Sequence, residues 1–245
     1  MTSDFDAQVT GIGALSDPTR RALYRYVVAQ PGPVSRDQAA EGVGVARHIA
    51  KFHLDKLLDD GLLSVEYARA PGRRGPGAGR PAKLYSRSSR ELAVSLPQRE
   101  YALAGRLLAE AVTGAERDGV PIGDALASVS RATGRAFGKQ ARQVAGKRPR
   151  PAALRAAATG VLSECGYEPR DEGADISLIN CPFHALAQDY TDLVCGMNLE
   201  LIGGLVETLE HPDLEAHLVP TPGRCCVRLT EHQRSSASVI HKEES

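Results

Sequence analysis

The stretch SRDQAAEGVGVARHIAKFHLDKLLDDGLL, residues 35–63, decides how the N-terminal part of the chain is read. Ser35 is an N-cap residue that opens a short helix through Gln38, Ala39 and Ala40. Gly42-Val43-Gly44 breaks that helix. A second run, from about Ala46 to Asp60, puts Ala46, Ala50, Leu54, Leu57 and Leu58 on one face at helical spacing, and Gly61 stands where such a helix closes. Helix, glycine turn, helix is a helix-turn-helix.

Upstream, Ser16-Asp17-Pro18 starts a helix carrying Leu23, Tyr24, Val27 and Val28, and Gln30-Pro31-Gly32-Pro33 stops it. Downstream, Leu62 to Tyr67 reads as a strand. Ala68 to Pro81 is rich in Gly, Pro and Arg, and Lys83-Leu84-Tyr85-Ser86 returns as a second strand. The whole is a winged helix-turn-helix, whose second helix fits the major groove of DNA. With its apolar face turned inward, that helix projects Arg47, His48 and Lys51 outward. Arg47 is the candidate base contact, because a guanidinium can bond guanine bidentately. His53 is read as a phosphate contact or a locally packed side chain, and Phe52 is left open. From Tyr67 through Arg90 there are seven basic residues and no acidic one. Arg73, Arg74, Arg80 and Lys83 are therefore expected to meet phosphates or the minor groove. Taken alone, either charged surface would read as a solvated face; their position in a winged helix favours DNA.

Leu15-Ser16-Asp17-Pro18-Thr19-Arg20, the helix-turn-helix, and His53-Leu54-Asp55-Lys56-Leu57 through Gly61-Leu62-Leu63 resemble the ArsR-like bacterial regulators over roughly residues 10–90. The resemblance implies a dimer on a palindromic operator, since a two-fold protein matches a two-fold site.

The 245 residues, 42% hydrophobic and 24% charged, suit two folded domains and exclude a mostly disordered chain. Thirty basic residues balance thirty acidic ones. Residues 1–150 nevertheless hold 24 Lys/Arg against 15 Asp/Glu, and residues 151–245 hold 6 against 15. A basic half joined to an acidic half suggests a polyanion-binding part and a part with another task. Arg outnumbers Lys 24 to 6, which suits phosphate recognition and equally a GC-rich genome. No apolar run reaches membrane length, and the acidic start lacks the features of a signal peptide. A cytoplasmic protein with reduced thiols is expected.

A long helix is predicted from Leu96 to Asp118, capped by Ser95 with Pro97 in its first turn; its part up to Val112 is the candidate dimer element or, alternatively, packs within its own monomer. A helix from Gly123 to Gly146 follows, and Gly146 to Pro151 reads as a domain boundary. Beyond it come a helix from Ala152 to Cys165 and strands at Tyr167–Glu172 and Asp175–Cys181. Residues 184–209 read as helix interrupted near Cys195-Gly196, and strands follow at Leu214–Pro220 and Arg224–Thr230. The expected fold is α+β and mostly helical: a winged helix-turn-helix over 10–92, a helical dimerisation linker over 93–150, a small α+β sensor domain over 151–232 and a polar tail over 233–245.

All five cysteines lie between Cys165 and Cys226, which in a reducing compartment reads as metal binding or redox chemistry. Cys181 ends a strand and Cys195 is expected at a helix start, where the helix dipole favours a thiolate. Of the adjacent pair, Cys225 shares a strand face with Val227 and Leu229 and is the inward choice. Asn180-Cys181-Pro182-Phe183, Val194-Cys195-Gly196-Met197-Asn198 and Gly223-Arg224-Cys225-Cys226 resemble the C-terminal half of SufR-type regulators. These are ArsR-like dimeric repressors that hold an iron–sulfur cluster and control iron–sulfur assembly genes. The resemblance implies a [4Fe–4S] cluster on Cys181, Cys195 and Cys225. His184, Cys226 or a carboxylate is left for the fourth position. The alternatives are zinc or an organic ligand in place of the cluster, and a thiol oxidoreductase using Cys225-Cys226. Against the last stand the strain of a vicinal disulfide and the lack of a Cys-x-x-Cys motif. No nucleophile–base order, phosphate-cradling loop or carboxylate pair stands out, so the chain is not read as an enzyme.

Overall fold

The computed structural model describes residues 2–68, 81–211 and 213–231. The chain divides into two compact units, Met1–Val94 and Ser95–Ser245.

The first unit runs α1 (Thr2–Ala14), α2 (Pro18–Val28), β1 (Val34–Ser35), α3 (Arg36–Val43), α4 (Arg47–Asp59), β2 (Leu63–Ala68) and β3 (Ala82–Arg87). Asp17 caps α2 by accepting from the Arg20 N–H at 2.8 Å, with Pro18 at the first helical position. Ser35 and Gln38 form a reciprocal capping box on α3. After α4, Gly61 adopts φ +74°, and the Gly61 and Leu62 N–H groups bond Leu58 O and Leu57 O. This Schellman closure needs the left-handed residue that glycine supplies. The three strands pair antiparallel in the order β1-β3-β2. Leu23, Val27, Leu54, Leu57 and Tyr85 fill the core.

Two expectations change on α4. Ala46 is its exposed N-cap residue, and His53 joins Ala50, Leu54 and Leu57 on the buried face. These four fall at i, i+3, i+4 and i+7, which is the spacing of one helix face. His53 is thus the locally packed histidine: Arg20 Nε donates to its Nδ1 at 3.4 Å, and Phe52 meets its ring edge-on. Arg73, Arg74 and Arg80 lie outside the described residues, as does the 233–245 tail.

The second unit contains α5 (Tyr101–Asp118), α6 (Ile122–Ala145), α7 (Pro151–Glu164), β4 (Pro169–Glu172), β5 (Asp175–Leu178), α8 (His184–Asp189), α9 (Thr191–Leu209), β6 (Leu214–Leu218) and β7 (Val227–Glu231). Its strands form one antiparallel sheet in the order β4-β5-β7-β6. Helices α6 and α9 pack almost backbone to backbone. A Cβ at Gly134 or Gly138 would overlap the Leu201 or Leu205 carbonyl, and one at Gly204 would overlap that of Arg131. Arg131 bonds Glu200 at 2.7 Å and Glu207 at 3.0 Å, and Arg135 bonds Glu207 at 3.0 Å along the same seam.

The 146–151 stretch joins α6 to α7 inside this unit. Leu107, Ala111, Leu126 and Ala141 from the expected linker share one core with Leu162, Ile176 and Leu201, so residues 95–150 are not a separate linker. For the same reason Leu103 and Leu107 of α5 pack within their own unit. The basic surplus of residues 95–150 is partly consumed by α9 carboxylates. Helix α5 begins at Tyr101, because residues 98–100 take tertiary hydrogen bonds. The helical break falls at Tyr190, and Cys195 lies inside α9, one turn beyond its start.

Candidate nucleic-acid interface and thiol site

On the first unit, α4 presents Arg47, His48 and Lys51 to solvent, and Phe52, 64% exposed, stands beside them. The cations are not idle. Arg47 Nε lies 3.5 Å from Asp37, and Lys51 Nζ lies 3.1 Å from Asp55 Oδ2. Asp55 Oδ1 also accepts from Lys83 Nζ at 2.6 Å and from Tyr85 OH at 2.9 Å. One carboxylate therefore ties α4 to β3. Burial would raise the Asp55 carboxyl, but the hydrogen bonds from Lys83, Lys51 and Tyr85 overcome it and hold the group below its ordinary value. Burial and then Asp55 push the Tyr85 hydroxyl up to about 12. A groove of 440 Å³ runs along this junction, lined by Asp37, Lys51, Tyr67 and Lys83 among others. Asp37, Asp55 and Tyr85 were missed by sequence reasoning. Lys51 and Asp55 stand at the i,i+4 spacing of a helical ion pair, but the other partners lie about ten to thirty positions away, where no local pattern marks them.

In the second unit, four thiols from three separated segments meet. Cys181 follows β5, Cys195 projects from α9, and Cys225 and Cys226 lie in the bend before β7. Their side chains neighbour one another closely enough to shift one another's ionisation, Cys181 with Cys225, Cys225 with Cys226, and Cys226 with Cys195. Because residues 225 and 226 precede the strand, the alternation expected of strand neighbours does not separate them. Cys181, Cys195 and Cys225 are buried and Cys226 is half-buried. A backbone bond from Cys225 N to Leu178 O (2.9 Å) fixes the bend beside β5.

Deep in the core, Tyr167 OH donates to Asn198 Oδ1 at 2.5 Å, and Asn198 Nδ2 donates to Cys225 Sγ at 3.1 Å. The Cys181 thiol is raised far above its usual range, by its bond to Cys225 and then by burial. The bond from Cys181 pulls Cys225 down, but its own bond to Cys226 and burial outweigh that and leave it at about 11. Burial also raises Cys195, despite the bond from Cys226. Cys195 lies a full turn into α9, beyond the terminal turn in which a helix dipole acts. Cys181, Cys195 and Cys225 therefore carry protons at neutral pH, which a metal would have to displace.

His184 is the first residue of α8 and is exposed. Cys165 caps the C-terminus of α7, and burial, with Glu100 and Glu164 nearby, pushes its thiol up to about 12. Among the described residues, no three His, Cys, Asp or Glu side chains are grouped around a single ion position.

Residues 15–66 match the family described as a helix-turn-helix domain. Comparisons with curated proteins and with solved structures return no match. The matched segment spans α2, α3, α4 and most of β2, with the reading helix inside it, and gives the first unit the character of a DNA-binding transcription regulator. Among the described residues, no helix is long and apolar enough to cross a membrane.

Proposed function

We propose that the protein is a homodimeric repressor that reads a palindromic operator through Arg47, His48, Lys51 and the basic wing, and whose operator affinity is set by an iron–sulfur cluster in the second unit. The observation that carries this reading is the convergence of Cys181, Cys195, Cys225 and Cys226, from three separated segments, in a unit joined to a helix-turn-helix. Four thiolates are the ordinary ligand set of an iron–sulfur cluster, so the donor chemistry fits. Cys181, Cys195 and Cys225 would hold it, with Cys226 as the nearest fourth sulfur. When bound, such a cluster supplies an anionic centre sensitive to oxidants and to iron supply. The resemblance to SufR-type regulators points to iron–sulfur assembly genes as targets.

Protein purified without oxygen is expected to contain iron and sulfide and to show thiolate-to-iron absorption. Its affinity for a selected duplex is expected to differ from that of the metal-free form. A colourless protein containing zinc, or equal affinities, sinks the proposal. Cys226→Ser is expected to lower iron and sulfide content severalfold, and His184→Ala to leave both unchanged, measured per polypeptide after anaerobic reconstitution.

A further inference from the structure

Residues 95–100 lie at the start of the second unit, directly after the DNA-reading unit ends at Val94. They are not helical, so their polar groups need partners elsewhere. The Arg99 N–H donates to Ser95 Oγ at 2.8 Å within the stretch, and residues 98–100 find further partners on the loop that carries Cys181. Arg99 Nη1 donates to Cys181 O at 3.0 Å and to Asn180 Oδ1. Asn180 Nδ2 donates to Gln98 O at 2.9 Å and to Gly166 O. The Glu100 N–H donates to Pro182 O at 3.1 Å. Asn180 is 6% exposed, and its amide is engaged on both sides, as a buried amide must be.

We infer that Arg99 and Asn180 are positioning residues that clasp the Cys181 loop to the entering chain, so that the state of the thiol site is passed to residues 98–100. The inference rests on the thiol-site reading above. Three consecutive loop residues (180–182) bond three consecutive residues of the entering chain (98–100), so a displacement of the Cys181 backbone cannot be absorbed by the loop alone. Arg99 also responds to charge. A guanidinium on the Cys181 carbonyl is held more tightly when the sulfur belongs to an anionic metal centre than when it belongs to a neutral thiol. That difference between states is what a ligand needs in order to shift a conformational equilibrium. Sequence reading placed Ser95 and Pro97 in a helix start and assigned Arg99 no role, because its partners lie some eighty residues away.

The test uses the full chain, metal-free and after anaerobic loading with ferrous iron and sulfide, on a labelled duplex selected by the wild-type protein from a random-sequence pool. The wild type is expected to show roughly a tenfold difference in duplex affinity between the two states, within the usual range of allosteric coupling. Its Glu100 amide is expected to change hydrogen-exchange protection on loading. In Arg99→Met the affinity ratio is expected to fall to within about twofold of one, at unchanged iron and sulfide content. Arg99→Lys is expected to recover part of it. A loaded Met variant that keeps the wild-type ratio overturns the clasp while leaving the thiol-site reading intact. So does a wild type whose Glu100 protection ignores loading, even if the Met variant fails to fold. Wild-type protein that takes up neither iron nor sulfide overturns both.

Discussion

Asp55 sits where three donors meet, from Lys51, Lys83 and Tyr85. Two cations of the proposed DNA-facing surface are therefore partly neutralised by a side chain of α4 itself. Asp55→Asn is expected to free Lys51 and Lys83 for phosphate. Each freed cation should steepen the slope of log affinity against log salt by about 0.9, read by titrating a duplex at several salt concentrations. The same variant should lose up to about 1 kcal/mol of stability, the scale of a half-exposed ion pair. Since the Asp55 carboxyl is held below its ordinary value of 3.8, its contribution persists above that pH and is lost as pH falls through the lower, folded value. The thiols act in the opposite direction. Cys165 and Cys225 are raised from 9.0 to about 12 and about 11, so they favour folding below pH 9. Above it the unfolded chain ionises first, and stability drains away as pH climbs toward the folded values. The denaturant midpoint of reduced, metal-free protein is expected to fall between about pH 8 and about pH 10; a flat profile contradicts the burial of these sulfurs.

Among the elements, α6 and α9 depend on the absence of side chains at their contact. Gly134→Ala drives a methyl group into the Leu201 carbonyl, which belongs to a rigid helix backbone. A loss of at least about 2–3 kcal/mol is expected from such overpacking. Gly105→Ala, on an exposed face of α5 with open space around it, should instead gain up to about 1 kcal/mol from helix propensity. Chemical denaturation of the two variants side by side checks the contrast. The capped helices α2 and α3 were legible because Asp17 bonds Arg20 N–H and Ser35 bonds Gln38 N–H, each three residues away. The start of α5 was not. Ser95 and Pro97 carry a helix-start pattern, yet Gln98 and Arg99 bond Asn180 and Cys181 instead. The expected break at Cys195 was displaced to Tyr190 for a related reason. Gly196 is tolerated within α9, where the surrounding residues pack into the core.

For the molecule as a whole, the division at Val94 gives the DNA-reading unit a core of its own, built from Leu23, Leu54, Leu57 and Tyr85. A fragment of residues 1–94 is expected to unfold cooperatively and to bind duplex at low salt, with no response to iron and sulfide, as followed by circular dichroism and duplex titration. A fragment without helical signal would mean that this unit needs the rest of the chain. The charge imbalance at residue 150 pointed to a polyanion-binding part, but the fold divides elsewhere. Arg131 and Arg135 are spent on Glu200 and Glu207 rather than left for DNA.

The sequence by itself determined the helix-turn-helix, its caps, its outward cations and the residues rich in sulfur, because those features arise from neighbours a few positions apart and from residue chemistry alone. Only the tertiary structure decided that Cys226 joins the other three sulfurs while His184 stays in solvent, that Asp55 binds the wing strand to the reading helix, and that Arg99 grips the Cys181 loop. Each of these joins residues tens of positions apart. Such pairs meet only after helices and strands have packed, and no local pattern of residues encodes the distance between them.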